Sequence, residues 1–167
     1  EPFVRRKYNL KDPTGNDNDA TDDNGKRYEI KACKVLSATD NSKKSKTILE
    51  RILFENNNIE TNRLISFNDC KSATYLANVQ NVKRDHFDYL IYVLLFKDCV
   101  KIFFAKKEKI NAQNIPNWSD KHGRYDAPGK SGQFGINKNN IDWHLKNNLK
   151  DTVSYEEMKN VYKELSK

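Results

Sequence analysis

Asp19, Glu29 and Lys31 are the residues of this chain whose types and spacing can do chemistry. Asp19 stands ten residues before Glu29, and Glu29-Ile30-Lys31 sets a carboxylate and an amine two positions apart. On an extended segment successive side chains point to opposite faces, so Glu29 and Lys31 share one face. Two carboxylates brought together can hold a hard divalent cation such as Mg²⁺, which prefers oxygen ligands and keeps several waters. The Ile30 carbonyl is a third oxygen available to the same cation. Lys31 can orient or help deprotonate a water attacking a phosphorus atom, while the metal stabilises charge developing on the phosphate oxygens. The competing reading is plainer: a solvated hairpin with a cross-strand ion pair worth ~0.2–1 kcal/mol.

A hairpin must position these groups. Asp22-Asp23-Asn24-Gly25 lies between Asp19-Ala20-Thr21 and Lys26 to Val35, and Asn-Gly between extendable runs is a hairpin signal. Tyr28, Ile30 and Ala32 fall on the face suited to a core, and Glu29, Lys31 and Cys33 on the other. Asp22 and Asp23 read as turn-formers. Asp17 is the alternative first acid, with Asp19 ranked ahead because it directly precedes Ala20.

The remaining elements are read from periodicity. Residues 1–18 are polar and turn-rich, and residues 43–56 carry a helical stripe of Ile48, Leu49, Ile52 and Leu53. Leu64 to Phe67 reads as a short strand, and Ala73 to Val79 fits either type. Phe87 to Phe96 is apolar on both faces and rich in β-formers, the mark of a central strand. Lys97-Asp98 turns it into a second strand, Cys99 to Ala105. A long polar loop is expected over 111–132, a brief strand over Gln133 to Ile136 and a short helix from Asn140 to Leu149. Ser154 with Glu157 three residues on is a capping box opening a last helix with Met158, Val161, Tyr162 and Leu165 on its buried stripe. This order predicts one α/β (α+β) domain over residues 1–167, a mixed central β-sheet flanked by α-helices.

Composition narrows the class. The 167 residues carry 30 Lys and Arg against 23 Asp and Glu, a net charge of +7 that favours a polyanionic partner. No run approaches the ~20 apolar residues that span a bilayer, and no secretory signal opens the chain. Three scattered cysteines, Cys33, Cys70 and Cys99, with no CxxC, argue against a disulfide framework or structural zinc and point to a reducing cytoplasm. The chain opens at Glu1 without an initiator Met, the expectation being a processed or trimmed piece.

The segment Asn18-Asp19-Ala20-Thr21-Asp22-Asp23-Asn24-Gly25-Lys26-Arg27-Tyr28-Glu29-Ile30-Lys31 resembles the active-site hairpin of the PD-(D/E)xK nuclease superfamily, and within it the type II restriction endonucleases. Asn18 stands where that family often has Pro. The resemblance implies a restriction-endonuclease-like fold, Mg²⁺ held by Asp19, Glu29 and the Ile30 carbonyl, and Lys31 on the attacking water. It also implies double-stranded DNA as substrate, 5′-phosphate ends and often a homodimer. Two other acid-x-Lys triplets, Asp69-Cys70-Lys71 and Glu157-Met158-Lys159, lack a preceding hairpin. The alternatives are a repair, junction-resolving or toxin nuclease of the same superfamily, and a non-catalytic basic nucleic-acid-binding domain.

Two segments are candidates for holding DNA, where Lys and Arg contact phosphates and base edges give specificity. Lys43, Lys44 and Lys46 open the 43–56 helix just after the active strand, the competing reading being a solvated basic turn. The 121–133 loop brings Lys121, His122, Arg124, Lys130 and Gln133 among glycines and is the candidate base-reading segment. Trp118, Trp143, His122 and His144 read as packing or surface residues, and the cysteines as small hydrophobes.

Overall fold

The structure is a computed structural model and describes residues 1–13, 15, 17–38, 64–121 and 131–165. Its elements are α1 (Pro2–Lys7), β1 (Ala20–Thr21), β2 (Arg27–Lys34), β3 (Ala77–Val82), β4 (Tyr89–Leu95) and β5 (Val100–Lys106). They continue with β6 (Trp118–Ser119), β7 (Gly132–Ile136), α2 (Ile141–Asn147), β8 (Leu149–Val153) and α3 (Tyr155–Leu165). The main sheet has the order β1-β2-β4-β5-β8, and a second sheet has the order β3-β7-β6. β2 and β4 run parallel and the other neighbouring strands antiparallel, so the chain is α+β with a mixed central sheet.

β4 is central because both its faces find apolar cover. Leu90, Tyr92 and Leu94 join Phe103, Phe134, Ile136 and Ile141 in a core under the second sheet and α2. Ile91 and Val93 join Phe3, Val4, Ile30, Ile102 and Met158 in a core under α1 and α3. A strand buried on both faces needs no polar alternation, which is why its sequence is a continuous apolar run. The antiparallel β4–β5 pair through Lys97-Asp98 follows the expected turn.

The hairpin forms as its turn residues dictate. The Asp22 carboxylate accepts from the Asn24 and Lys26 amides, both at 2.9 Å, and Gly25 takes φ +73°. Ala20 then pairs with Tyr28 and Thr21 with Arg27. Ser154 caps α3, its hydroxyl accepting from the Glu157 amide at 3.1 Å, but the Glu157 carboxylate pairs with Lys7 of α1 at 2.9 Å instead of closing the box.

Several sequence expectations change. Residues 1–18 hold a helix: Pro2 fits a first helical turn, Arg5, Arg6 and Lys7 suit its C-terminal end, and Phe3 and Val4 are buried. Six residues are too few for a helical period to show. The helix expected to reach Leu149 ends at Asn147, and Leu149–Val153 becomes an edge strand beside β5 in which Val153 alone is fully buried. Leu64 makes only an isolated bridge with Leu36 before a 3₁₀ turn at Phe67–Asp69, and strand β3 starts at Ala77. Ala32, expected in the core, is exposed. The 43–56 helix lies outside the described residues.

Candidate active site

Asp19 sits immediately before β1, where its amide donates to the Tyr28 carbonyl at 2.9 Å and its Oδ2 accepts from the Ile30 amide at 2.7 Å. Continuing the Ala20–Tyr28 register sets Asp19 opposite Glu29, and opposed residues of an antiparallel pair share a face. Both peptide groups engaged by Asp19 belong to even-numbered residues of β2. Alternate peptides along a strand face the same neighbour, so the Ile30 carbonyl also faces the Asp19 edge. Asn18 is buried and its side-chain amide donates to the Ala20 carbonyl at 2.7 Å, fixing the backbone entering β1.

Glu29 and Lys31 flank Ile30 in register with Leu90 and Tyr92 of β4, on the face that the second sheet covers. Glu29 is buried, and the Lys31 ammonium is paired to its Oε1. Burial pushes the Glu29 carboxyl above its usual range; Lys31 opposes the shift, Asp19 adds to it, and His86 opposes it weakly. Burial penalises charge while the neighbouring amine favours it, the balance found where carboxylates are used chemically.

The hairpin forms one wall of a cleft of about 140 Å³. Asp17, Asn18, Asp19 and Glu29 line this wall, and Asn81, Lys83 and His86 line the opposite one. The opposite wall follows β3, whose pairing with β7 is interrupted between Val79 and Val82 while Asn81 takes φ +55°. A bulge of this kind re-aims side chains at the end of a ladder. Arg84–His86 then form a 3₁₀ turn, and His86 Nδ1 lies 3.5 Å from Asp17 Oδ1. Asp17, weighed as a rival first acid, lines the same cleft and faces His86.

Two carboxylates and a neighbouring carbonyl fit Mg²⁺, which is commonly bound through one or two carboxylates while its remaining positions stay hydrated. Among the described residues no group of three or more His, Cys, Asp and Glu side chains forms an all-protein metal cage. Carboxylate and carbonyl oxygens are the donors a hydrated hard cation takes.

The other expected binding residues lie elsewhere. Lys121 bridges Ser131 at the stem of the 121–133 loop, and Gln133 of β7 accepts from the Asn78 amide at 3.3 Å. Gln133 belongs to the second sheet, and Lys121 makes an isolated bridge outside it. Lys43, Lys44, Lys46, His122, Arg124 and Lys130 lie outside the described residues. Asp69 ends a 3₁₀ turn, and Lys71 pairs with Asp142 at 2.8 Å, so that triplet builds no site. Burial raises the Cys33 and Cys99 thiols to about 11 and also raises Cys70, leaving all three protonated at neutral pH. Trp118 and Trp143 pack against the core, as expected.

Sequence reasoning missed Asn81, Lys83 and His86. They stand more than fifty positions from Glu29, and only the bulge that turns the chain at the end of β3 brings them to the cleft. No family model matches the chain, and no curated protein or solved structure matches it.

Proposed function

We propose that this chain is a Mg²⁺-dependent DNA endonuclease of the PD-(D/E)xK superfamily, of the type II restriction kind, leaving 5′-phosphate ends. The observation that carries the reading is the meeting of Asp19 and Glu29 across the β1–β2 pair, with Lys31 on the Glu29 carboxylate. The order α1, β1, β2, then a strand parallel to β2, agrees in outline with the fold the resemblance implies. Asn18, which departs from the family's Pro, donates its side-chain amide to the Ala20 carbonyl and so steadies the backbone beside Asp19.

Asp19, Glu29 and the Ile30 carbonyl would hold the metal. Mg²⁺ bound there supplies Lewis-acid stabilisation of charge on the phosphate oxygens and leaving group. The Ile30 amide holds one Asp19 oxygen and so fixes the carboxylate's orientation. Lys31 neutralises buried Glu29 in the free protein and is placed to orient the attacking water once substrate enters. The second sheet covers this face and limits its exchange with bulk water. The chain is proposed to act on duplex DNA in the cytoplasm, with a homodimer as the form that cuts both strands.

Plasmid cleavage by the purified chain with Mg²⁺, with EDTA and with Glu29→Ala tests the reading. Discrete fragments lost with EDTA and in the variant are expected. A Mg²⁺- and Glu29-dependent smear would instead indicate the repair, junction or toxin kind of nuclease. A second reading, a basic binding domain, draws on the Glu29–Lys31 ion pair itself. It requires DNA binding without cleavage in any lane.

A further inference from the structure

The cleft has a cationic wall that the hairpin chemistry leaves unused. Lys83 is exposed at its edge and, among the described residues, makes no ion pair. Neighbouring charged residues are already engaged. Arg84 donates to the Ile110 carbonyl at 3.0 Å and lies over the Trp118 ring, Asp85 pairs with Lys107, and the Asp85 carbonyl accepts from Arg27. Val82 and Phe87 are buried on either side of the turn. The wall is therefore held from both ends and from beneath, with Lys83 and His86 presented to the cleft.

A cleft of about 140 Å³ has room for a single phosphate group. Carboxylates on one side and donors on the other suit a phosphodiester bridging metal and protein: an anion alone would be repelled by Asp19 and Glu29, and a cation alone would gain nothing from Lys83.

We infer that Lys83 is the phosphate anchor of the cleft and that His86, held by Asp17, is the second donor to the same phosphodiester group of a nucleic acid. This assignment rests on the nuclease reading for the identity of the opposite wall. Lys83 contributes a point charge and one counterion released on binding. In its imidazolium form, with Nδ1–H facing the Asp17 carboxylate, His86 donates to the phosphodiester from Nε2–H.

The test is binding of a short fluorescein-labelled DNA duplex in EDTA, where no cleavage occurs, followed across salt between about 0.05 and 0.2 M. Lys83→Ala should weaken binding roughly eightfold at 0.1 M salt and lower the magnitude of the log K against log salt slope by about one. Lys83→Arg should restore the slope, and His86→Ala should weaken binding by a smaller factor. Lys138→Ala, which removes the same charge from an exposed position outside the cleft lining, should leave affinity close to wild type. Equal effects of Lys83→Ala and Lys138→Ala, or none from Lys83→Ala, would overturn the inference, as would a wild-type chain that binds no duplex. The two proposals fail separately. Glu29-dependent cleavage with an unchanged Lys83→Ala slope removes the anchor and keeps the nuclease, whereas a reduced slope without cleavage by any protein does the reverse.

Discussion

Glu29 and His144 are both ionisable groups buried in one molecule, and their surroundings differ. Burial opposes charge at each. At Glu29 the Lys31 amine answers that burial, and Asp19 and a cleft lie alongside. His144 is wholly buried between Phe134, Phe103 and Trp143, and burial alone lowers it to about 4. Its Nδ1 lies 2.8 Å from the Tyr92 hydroxyl, which itself accepts from Asn148 at 2.9 Å. Burial keeps the ring neutral at neutral pH. Among the described residues Nε2 has no partner. A charged partner and an opening distinguish the surroundings of Glu29 from those of His144; burial by itself does not.

The largest effect expected from this comparison is on stability in acid. The unfolded His144 titrates near 6.5 and the folded one near 4, so the unfolded state binds more protons between those values. Stability should therefore be intact above pH 6.5 and fall by about 3 kcal/mol by pH 4, at about 1.36 kcal/mol per unit. Urea unfolding of wild type and His144→Leu at several pH values checks this. The variant should lack that component, and identical pH slopes would show that His144 is not the group responsible. Next is the metal. Mg²⁺ at ten times its dissociation constant should stabilise the wild type by about 1.4 kcal/mol, and Asp19→Asn should abolish the rise in Tm seen by calorimetry. A rise that survives Asp19→Asn would place the metal elsewhere.

The smallest effect comes from Glu29 itself. Its folded pKa is raised, so the folded state binds a proton more tightly than the unfolded one. Above the folded value the charge opposes folding, and the cost fades as pH falls toward 4.5. Glu29→Gln should accordingly raise Tm at pH 7, with the gain shrinking as the pH approaches 4.5. A lower Tm at pH 7 would mean that the Lys31 pair outweighs burial.

The hairpin was legible in the sequence because everything it needs is local: a turn carried by Asp22 and Gly25, and an alternation that sets Glu29 and Lys31 on one side of Ile30. The central strand was legible for a related reason, since burial on both faces of β4 leaves an uninterrupted apolar run. The cover over Glu29 was not legible. The second sheet joins β3 to β7 across some fifty residues, and Val79, Phe134 and Ile136 announce no destination in their own neighbourhoods. The opposite wall of the cleft depends on the same pairing and on a left-handed Asn81, which sequence pattern alone does not mark. Helix α1 and strand β8 escaped because each is short and buries few residues.

The central claim is that Lys31 does chemistry on the Asp19–Glu29 face and is more than the partner of a buried carboxylate. Single-turnover cleavage and equilibrium binding of the same end-labelled duplex by wild type and Lys31→Ala test it most directly. The account predicts that the variant cuts at least about a hundredfold more slowly with Mg²⁺ while binding the duplex within a few-fold of wild type. Cleavage and binding weakened by the same factor would contradict it and leave Lys31 as an ion-pair partner alone.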